Sequence, residues 1–356
     1  MLEYLIRRYR ISEMNVDSLL KCMFHLNDTK IFAKTVQLCT ITDTVWSFLQ
    51  GVKKSGSPLP TDMLVQKCQD NVHILSILVQ IVQTAMSLSS TKSNLSVHTV
   101  KGVGKIISFV TNIVTAMLKG RAAEEAQIRL LLPYIVTGLQ SNVQGISSGN
   151  KITHATIVEE LRRSCCILVA HICVKSHLDG PFVKTIFGML VDAFVSYAEV
   201  PLVASSSAVN SHPGVEIMYT IMAVSQTQEL KLSSKMLHKM FQLDTQKSVD
   251  KNNFLAALTL ISDNDIDTSH ILNAIVSGIL SSLFLPAKKR KKLGVNASTA
   301  RQILLKIFAS PAFSDISVVA AAVTGVLTGL CSTDVAAGRP IYFIRRPVSN
   351  SSLRRF

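Results

Sequence analysis

The chain has 356 residues, 48% of them hydrophobic and 17% charged, with aromatic residues at only 6%. Apolar mass made mostly of Leu, Ile, Val and Ala fills a core of close-packed helices and argues against an all-β sandwich or a disordered chain. The formal net charge of +14 is concentrated in two places, +5 from Lys288–Lys292 and +5 from the acid-free tail Arg339–Phe356, so the rest is near neutral and is not a uniformly basic nucleic-acid glove.

In chain order, residues 1 to about 50 read as three short helices. Leu2, Leu5, Ile6 and Tyr9 form one apolar stripe, and Val16, Leu19, Leu20 and Met23 another. Arg7, Arg8 and Arg10 fall off the first stripe and are candidate phosphate contacts. Lys53–Pro60, with a Ser-Gly pair and two prolines, reads as a linker. Helices are expected from Pro60, interrupted before Asn71 and continuing to Ser87. From Val97 they are expected as hairpins: 97–119 with 122–140, 154–176 with 181–198, 214–226 with 231–243, 251–262 with 268–284, and 297–309 with 311–331. Gly120 is placed as a C-cap, Pro133 lies inside a helix, and Asp179-Gly180-Pro181 reads as a helix–turn–helix joint. Segment starts about 40–60 residues apart suit HEAT or armadillo units. The fold class is therefore all-α, an α-solenoid of HEAT/armadillo-like helical hairpins. The domain reading is 1–60 as an amino-terminal helical segment, 61–335 as repeats, and 336–356 as a basic, disordered tail.

The stretch Leu2–Cys68 carries a family likeness. In order it shows Tyr4-Leu5-Ile6-Arg7-Arg8-Tyr9, Asn15-Val16-Asp17-Ser18-Leu19, and Thr29-Lys30-Ile31-Phe32 ahead of Gln37-Leu38. Trp46, Val52-Lys53-Lys54-Ser55-Gly56-Ser57-Pro58-Leu59 and Cys68 follow. These landmarks resemble the amino-terminal region of the HEAT repeat-containing protein 1 family, the large HEAT-repeat subunit of the UtpA part of the small-subunit processome. Beyond Cys68 the likeness thins to fragments such as Leu132-Pro133-Tyr134-Ile135. His25-Leu26-Asn27 stands where the family usually has Pro-Tyr-His, so a different turn is expected there. Family members are far longer at both ends, which reads this chain as a partial or alternatively spliced product.

The resemblance implies a non-catalytic scaffold of the nucleus and nucleolus, in a box C/D snoRNP assembly supporting pre-rRNA transcription and processing to the small-subunit rRNA. Its implied partners are other UtpA proteins and pre-rRNA or snoRNA, reached directly or through them. No cofactor, small-molecule substrate or membrane belongs to that reading. The alternative is a karyopherin- or armadillo-like adaptor that binds peptides in an Asn/Trp-lined groove, although the chain has a single tryptophan.

Catalytic and metal patterns are weak. Glu124-Glu125 and Glu159-Glu160 read as solvated helix faces. Asp263, Asp265 and Asp267 lack the Gly and Glu of a calcium loop. Cys165, Cys166, His171 and Cys173 have no zinc spacing and read as core. Gly102-Val103-Gly104-Lys105 does not complete a phosphate loop. Seven cysteines at irregular spacing point to reduced thiols rather than a disulfide framework. The mean hydropathy of +0.34 raises a membrane reading for the twenty uncharged residues 268–287. Their one-sided stripe, Ile271 to Phe284, reads instead as a buried helix. The one motif with a mechanism is Lys288-Lys289-Arg290-Lys291-Lys292, five mutually repelling cations that suit a nuclear-import signal or RNA-backbone contact.

Overall fold

The computed structural model describes residues 2–42, 44–90, 96–141, 151–196, 213–228, 232–241 and 267–283, with isolated positions 254, 257, 258, 261, 288, 300, 302–305 and 307. Every regular element among them is helical. The chain divides into two compact units, residues 1–230 with 253–261, and residues 231–252 with 262–356.

The first unit opens with short helices: α1 (Leu2–Arg8), α2 (Ile11–Met14), α3 (Val16–Met23), a 3-10 turn at Phe24–Leu26, α4 (Lys30–Leu38), a second 3-10 turn at Thr44–Leu49, and α5 (Gln50–Ser55). α6 (Thr61–Asp70) and α7 (Val72–Ser90) meet at the expected break, where the Asn71 side chain accepts from the His73 amide at 2.9 Å. Longer helices follow: α8 (Val97–Gly120), α9 (Glu125–Gln140), α10 (Lys151–Lys175), α11 (Gly180–Val195) and α12 (Pro213–Thr227). In the second unit α13 (Ser234–Phe241) packs on α14 (Ser269–Leu283). There a Cβ on Gly278 would lie 2.9 Å from Leu237 Cδ1, so the two helices approach closely.

Over the described residues the helix boundaries agree with the periodicity to within a few residues, but the pairing is out of phase by one; the expected helix 311–331 and most of 251–262 and 297–309 lie outside the described residues. α7 packs on α8, α9 on α10 and α11 on α12, whereas the expected partners α8/α9 and α10/α11 barely touch. Two layers result. α7, α9 and α11 form one; α8, α10 and α12 form the other. The short connectors at 121–124 and 176–179 therefore step between hairpins, and the longer segments close them. The chain is all-α, and its first unit is a HEAT/armadillo-like solenoid, each hairpin burying its apolar stripe against the next.

Polar ties reinforce that stacking, and each reaches about one hairpin along the chain. Gln228 Nε2 donates to the Cys173 and Ser176 carbonyls at 2.6 and 2.9 Å, while its Oε1 accepts from the Leu178 amide at 3.3 Å. Gln69 donates to the Met117 carbonyl at 3.1 Å and Gln127 to the Gln69 carbonyl at 3.4 Å. On the second layer Arg163 grips Glu216 through both carboxylate oxygens at 2.8 and 2.9 Å. Arg163 also meets Glu160 at 3.0 Å, and Glu160 accepts from Ser108 at 3.3 Å. Glu160 is thus half-buried in a relay across three helices rather than on a solvated face.

Among the described residues, α8 is the helix long and apolar enough to cross a membrane, over His98–Gly120. It packs against α6, α7 and α10 and buries Ile107, Val110, Val114 and Leu118. The stripe of residues 268–287 yields the 15-residue α14, which buries Ile271, Leu272, Ile275, Val276 and Ile279.

Candidate nucleic-acid interface

The family landmarks from Asp17 to Leu59 converge in space. Thr29 N-caps α4, its hydroxyl accepting from the Phe32 amide at 3.3 Å. That cap aims Phe32 at Phe24, which also meets Trp46, Phe48 and Phe109, with ring centroids 5.5 to 6.4 Å away. Trp46 is 1% exposed, and its indole N–H donates to Asp17 at 3.1 Å. Lys53 donates to the Cys39 carbonyl at 2.7 Å. Gly56 ends α5 at φ 65°, where a Cβ would meet Gln37 Nε2 at 2.6 Å, so glycine serves both the left-handed turn and the close approach. Leu59 and buried Asn27 exchange two hydrogen bonds, both 2.9 Å, and Asn27 is the position where the family's usual turn residues are replaced. Cys68 is fully buried, and burial pushes its thiol up to about 12. From Asp17 to Leu59 these motifs build a core; the opening Tyr4–Tyr9 motif lies outside it, with Ile6 buried.

The candidate contacts lie outside that core. Arg7, Arg8 and Arg10 are all exposed. Arg7 pairs with Glu3 at 2.9 Å, one helical turn back. Arg10 occupies the left-handed region at φ 49° and is the non-glycine residue that does so among the described residues. Of the expected stripe only Ile6 is shown buried, at 1%; Leu5 is 39% and Tyr9 66% exposed, and Tyr4 beside them is 61% exposed. The apolar stripe of α1 is thus mostly on the surface. Its main helix contacts are with α2, and Tyr4, Leu5 and Tyr9 on its outer side are exposed. Lys288 is helical and exposed, while Lys289, Arg290, Lys291 and Lys292 lie outside the described residues, as does the basic tail.

The other candidate chemistry falls into packing. Cys165, Cys166 and Cys173 are at most 3% exposed, and burial raises all three thiols, the latter two to about 12. His171 is half-exposed and held below its usual value by burial and by Lys119 and Lys175. At the start of α14 the Ser269 hydroxyl and the Ser269 amide, the latter at 2.8 Å, both donate to Asp267 and hold its carboxyl low. Glu124 and Gln127 form a capping box on α9. Buried Arg162 donates to the Ser141 carbonyl at the far end of that helix, beside a shallow recess of about 190 Å³. No group of three His, Cys, Asp or Glu side chains converges among the described residues. The exposure of Tyr4 and Tyr9 was not legible in sequence, because an apolar period marks a stripe without showing whether anything covers it.

No family model matches the chain. An uncharacterized Arabidopsis thaliana protein is 32% identical over 145 residues, 40% of this chain and 6% of that protein. The human HEAT repeat-containing protein 1 is 24% identical over 193 residues, 53% of this chain and 8% of the relative. The U3 small nucleolar RNA-associated protein 10 of Mycosarcoma maydis is 38% identical over 64 residues, 18% of this chain and 3% of that one. The chain spans only a small fraction of the length of these relatives. Stacked helical hairpins and these matches agree: over up to about half of its length the chain is similar to HEAT repeat-containing protein 1 and U3 small nucleolar RNA-associated protein 10.

Proposed function

We propose that the chain is a non-catalytic scaffold in ribosome biogenesis, working in the nucleolus within the small-subunit processome, a box C/D snoRNP, and supporting pre-rRNA transcription and processing to the small-subunit rRNA. The observation that carries this reading is the likeness to a U3 small nucleolar RNA-associated protein and to HEAT repeat-containing protein 1. Stacked helix pairs add support, because they present long surfaces to proteins and RNA. Its partners are UtpA proteins and pre-rRNA or snoRNA, with Lys288–Lys292 serving nuclear import or RNA-backbone contact. The peptide-adaptor alternative draws no comparable support, since Trp46 lies in the core rather than in a groove.

The test expresses the full chain with a small tag, images it, and measures co-purifying RNA and protein. Nucleolar signal with U3 snoRNA and processome proteins enriched over a tag-only control is expected, and replacing Lys288–Lys292 by alanine should reduce nuclear signal or RNA recovery. A wholly cytoplasmic chain without pre-ribosomal components overturns the proposal.

A further inference from the structure

Resting on that reading, we propose that Tyr4, Arg8, Tyr9 and Arg10 form a platform on which a single-stranded RNA segment stacks. Ile6 anchors α1, and Tyr4, Arg8, Leu5 and Tyr9 then occupy one continuous exposed arc away from it. The Tyr9 amide still bonds the Leu5 carbonyl at 3.1 Å, so the helical path continues to Tyr9. Five residues of helix separate the two tyrosines by about 7.5 Å along the axis and about 140° around it, so a strand wrapping the arc would meet the two rings in turn.

The charges on the arc are sorted. Glu3 and Arg7 neutralise each other. Arg8 and Arg10 have no ion pair among the described residues and remain available to phosphate. Arg10 supplies the second observation. A left-handed backbone strains an L-residue in a way that glycine escapes, and here a long cation holds the position at the turn into α2. Backbone conformations of this kind concentrate where a side chain has a task. Exposed rings alternating with unpaired guanidinium groups are the make-up of sequence-tolerant single-strand sites. Leu5 and Met14 are also exposed, so a protein helix is the competing occupant. Two free guanidinium groups beside two ring faces favour the polyanion.

The experiment measures fluorescence anisotropy of the full chain with a labelled oligouridine and with an RNA duplex of equal length, across a salt series. Tyr4→Ala with Tyr9→Ala should weaken oligouridine binding about thirtyfold or more, leave duplex binding unchanged and preserve the salt slope. Arg8→Ala with Arg10→Gly should weaken binding and flatten the slope by about 1.4, two phosphate contacts on a single strand. Glu3→Ala with Arg7→Ala should change neither. Circular dichroism checks folding, and ultraviolet crosslinking of the wild type should place the uridine adduct on Tyr4 or Tyr9 independently of any variant. Wild-type-like oligouridine binding by the tyrosine variant, equal loss on single strand and duplex, or adducts elsewhere overturns the platform. U3 snoRNA co-purification would still support the scaffold. Loss of a processome protein by the tyrosine variant, with RNA binding intact, assigns the arc to a protein and overturns the proposal as well.

Discussion

Gly138 on α9 sits against Cys165 of α10. A Cβ there would lie 2.3 Å from the Cys165 Sγ, 3.2 Å from its Cβ and 3.3 Å from Leu161 Cγ. Alanine would gain about 1 kcal/mol of helix propensity, but a fully buried thiol cannot move aside cheaply, and overpacking costs about 1–3 kcal/mol. Gly138→Ala should therefore lower the urea midpoint, and Cys165→Ala added to it should restore part of the loss; a more stable single variant would refute the packing. Histidines set the pH response. Burial, and to a lesser degree Lys105, holds His25 below its ordinary value of 6.5, and burial with Lys119 and Lys175 does the same to His171. The unfolded chain then binds protons that the folded one refuses. Stability should fall as pH drops from neutral through the ordinary histidine range, and should level off below the depressed values. A His25→Asn, His171→Gln variant should flatten that decline in urea titrations at neutral and mildly acidic pH.

At the scale of elements, helix existence and extent were readable because stripes such as Ile128–Leu139 and capping residues are local signals. Gln50-Gly51 marked no helix end: Gly51 lies inside α5, after a 3-10 turn that holds Trp46 and Phe48 in the aromatic cluster. Hairpin phase is not readable in sequence, since a short connector can join two partners or link successive pairs, and only the tertiary contacts show that here it links pairs. The glutamine ties escaped notice for the same reason: nothing in sequence marks Gln228 as buried, at 8% exposure, or as a cap on the end of α10. Gln228→Leu keeps the volume but strands the Cys173 and Ser176 carbonyls and the Leu178 amide. It should cost about 2 kcal/mol or more, read from the urea midpoint, with amide exchange accelerating at the α10–α11 junction first. A loss spread evenly over the first unit would contradict the assignment.

For the whole molecule, composition already pointed to helices and to a chain whose positive charge is local. The candidate site was only half legible. Its arginines could be picked out, but Tyr9 was assigned to a core stripe because exposure depends on what packs alongside. The family landmarks were legible as a series; those from Asp17 to Leu59 cluster in one core, while the opening Tyr4–Tyr9 motif is mostly exposed. The ties described above also have a reach: the inter-hairpin side-chain bonds Gln69–Met117, Ser108–Glu160, Arg163–Glu216 and Gln228–Cys173 span 48 to 55 residues, about one hairpin. Within the first unit these bonds make coupling run from neighbour to neighbour, like teeth in a zipper. A lesion in one hairpin should loosen its immediate flanks and fade beyond them, so that such a stack opens by peeling rather than by melting at once.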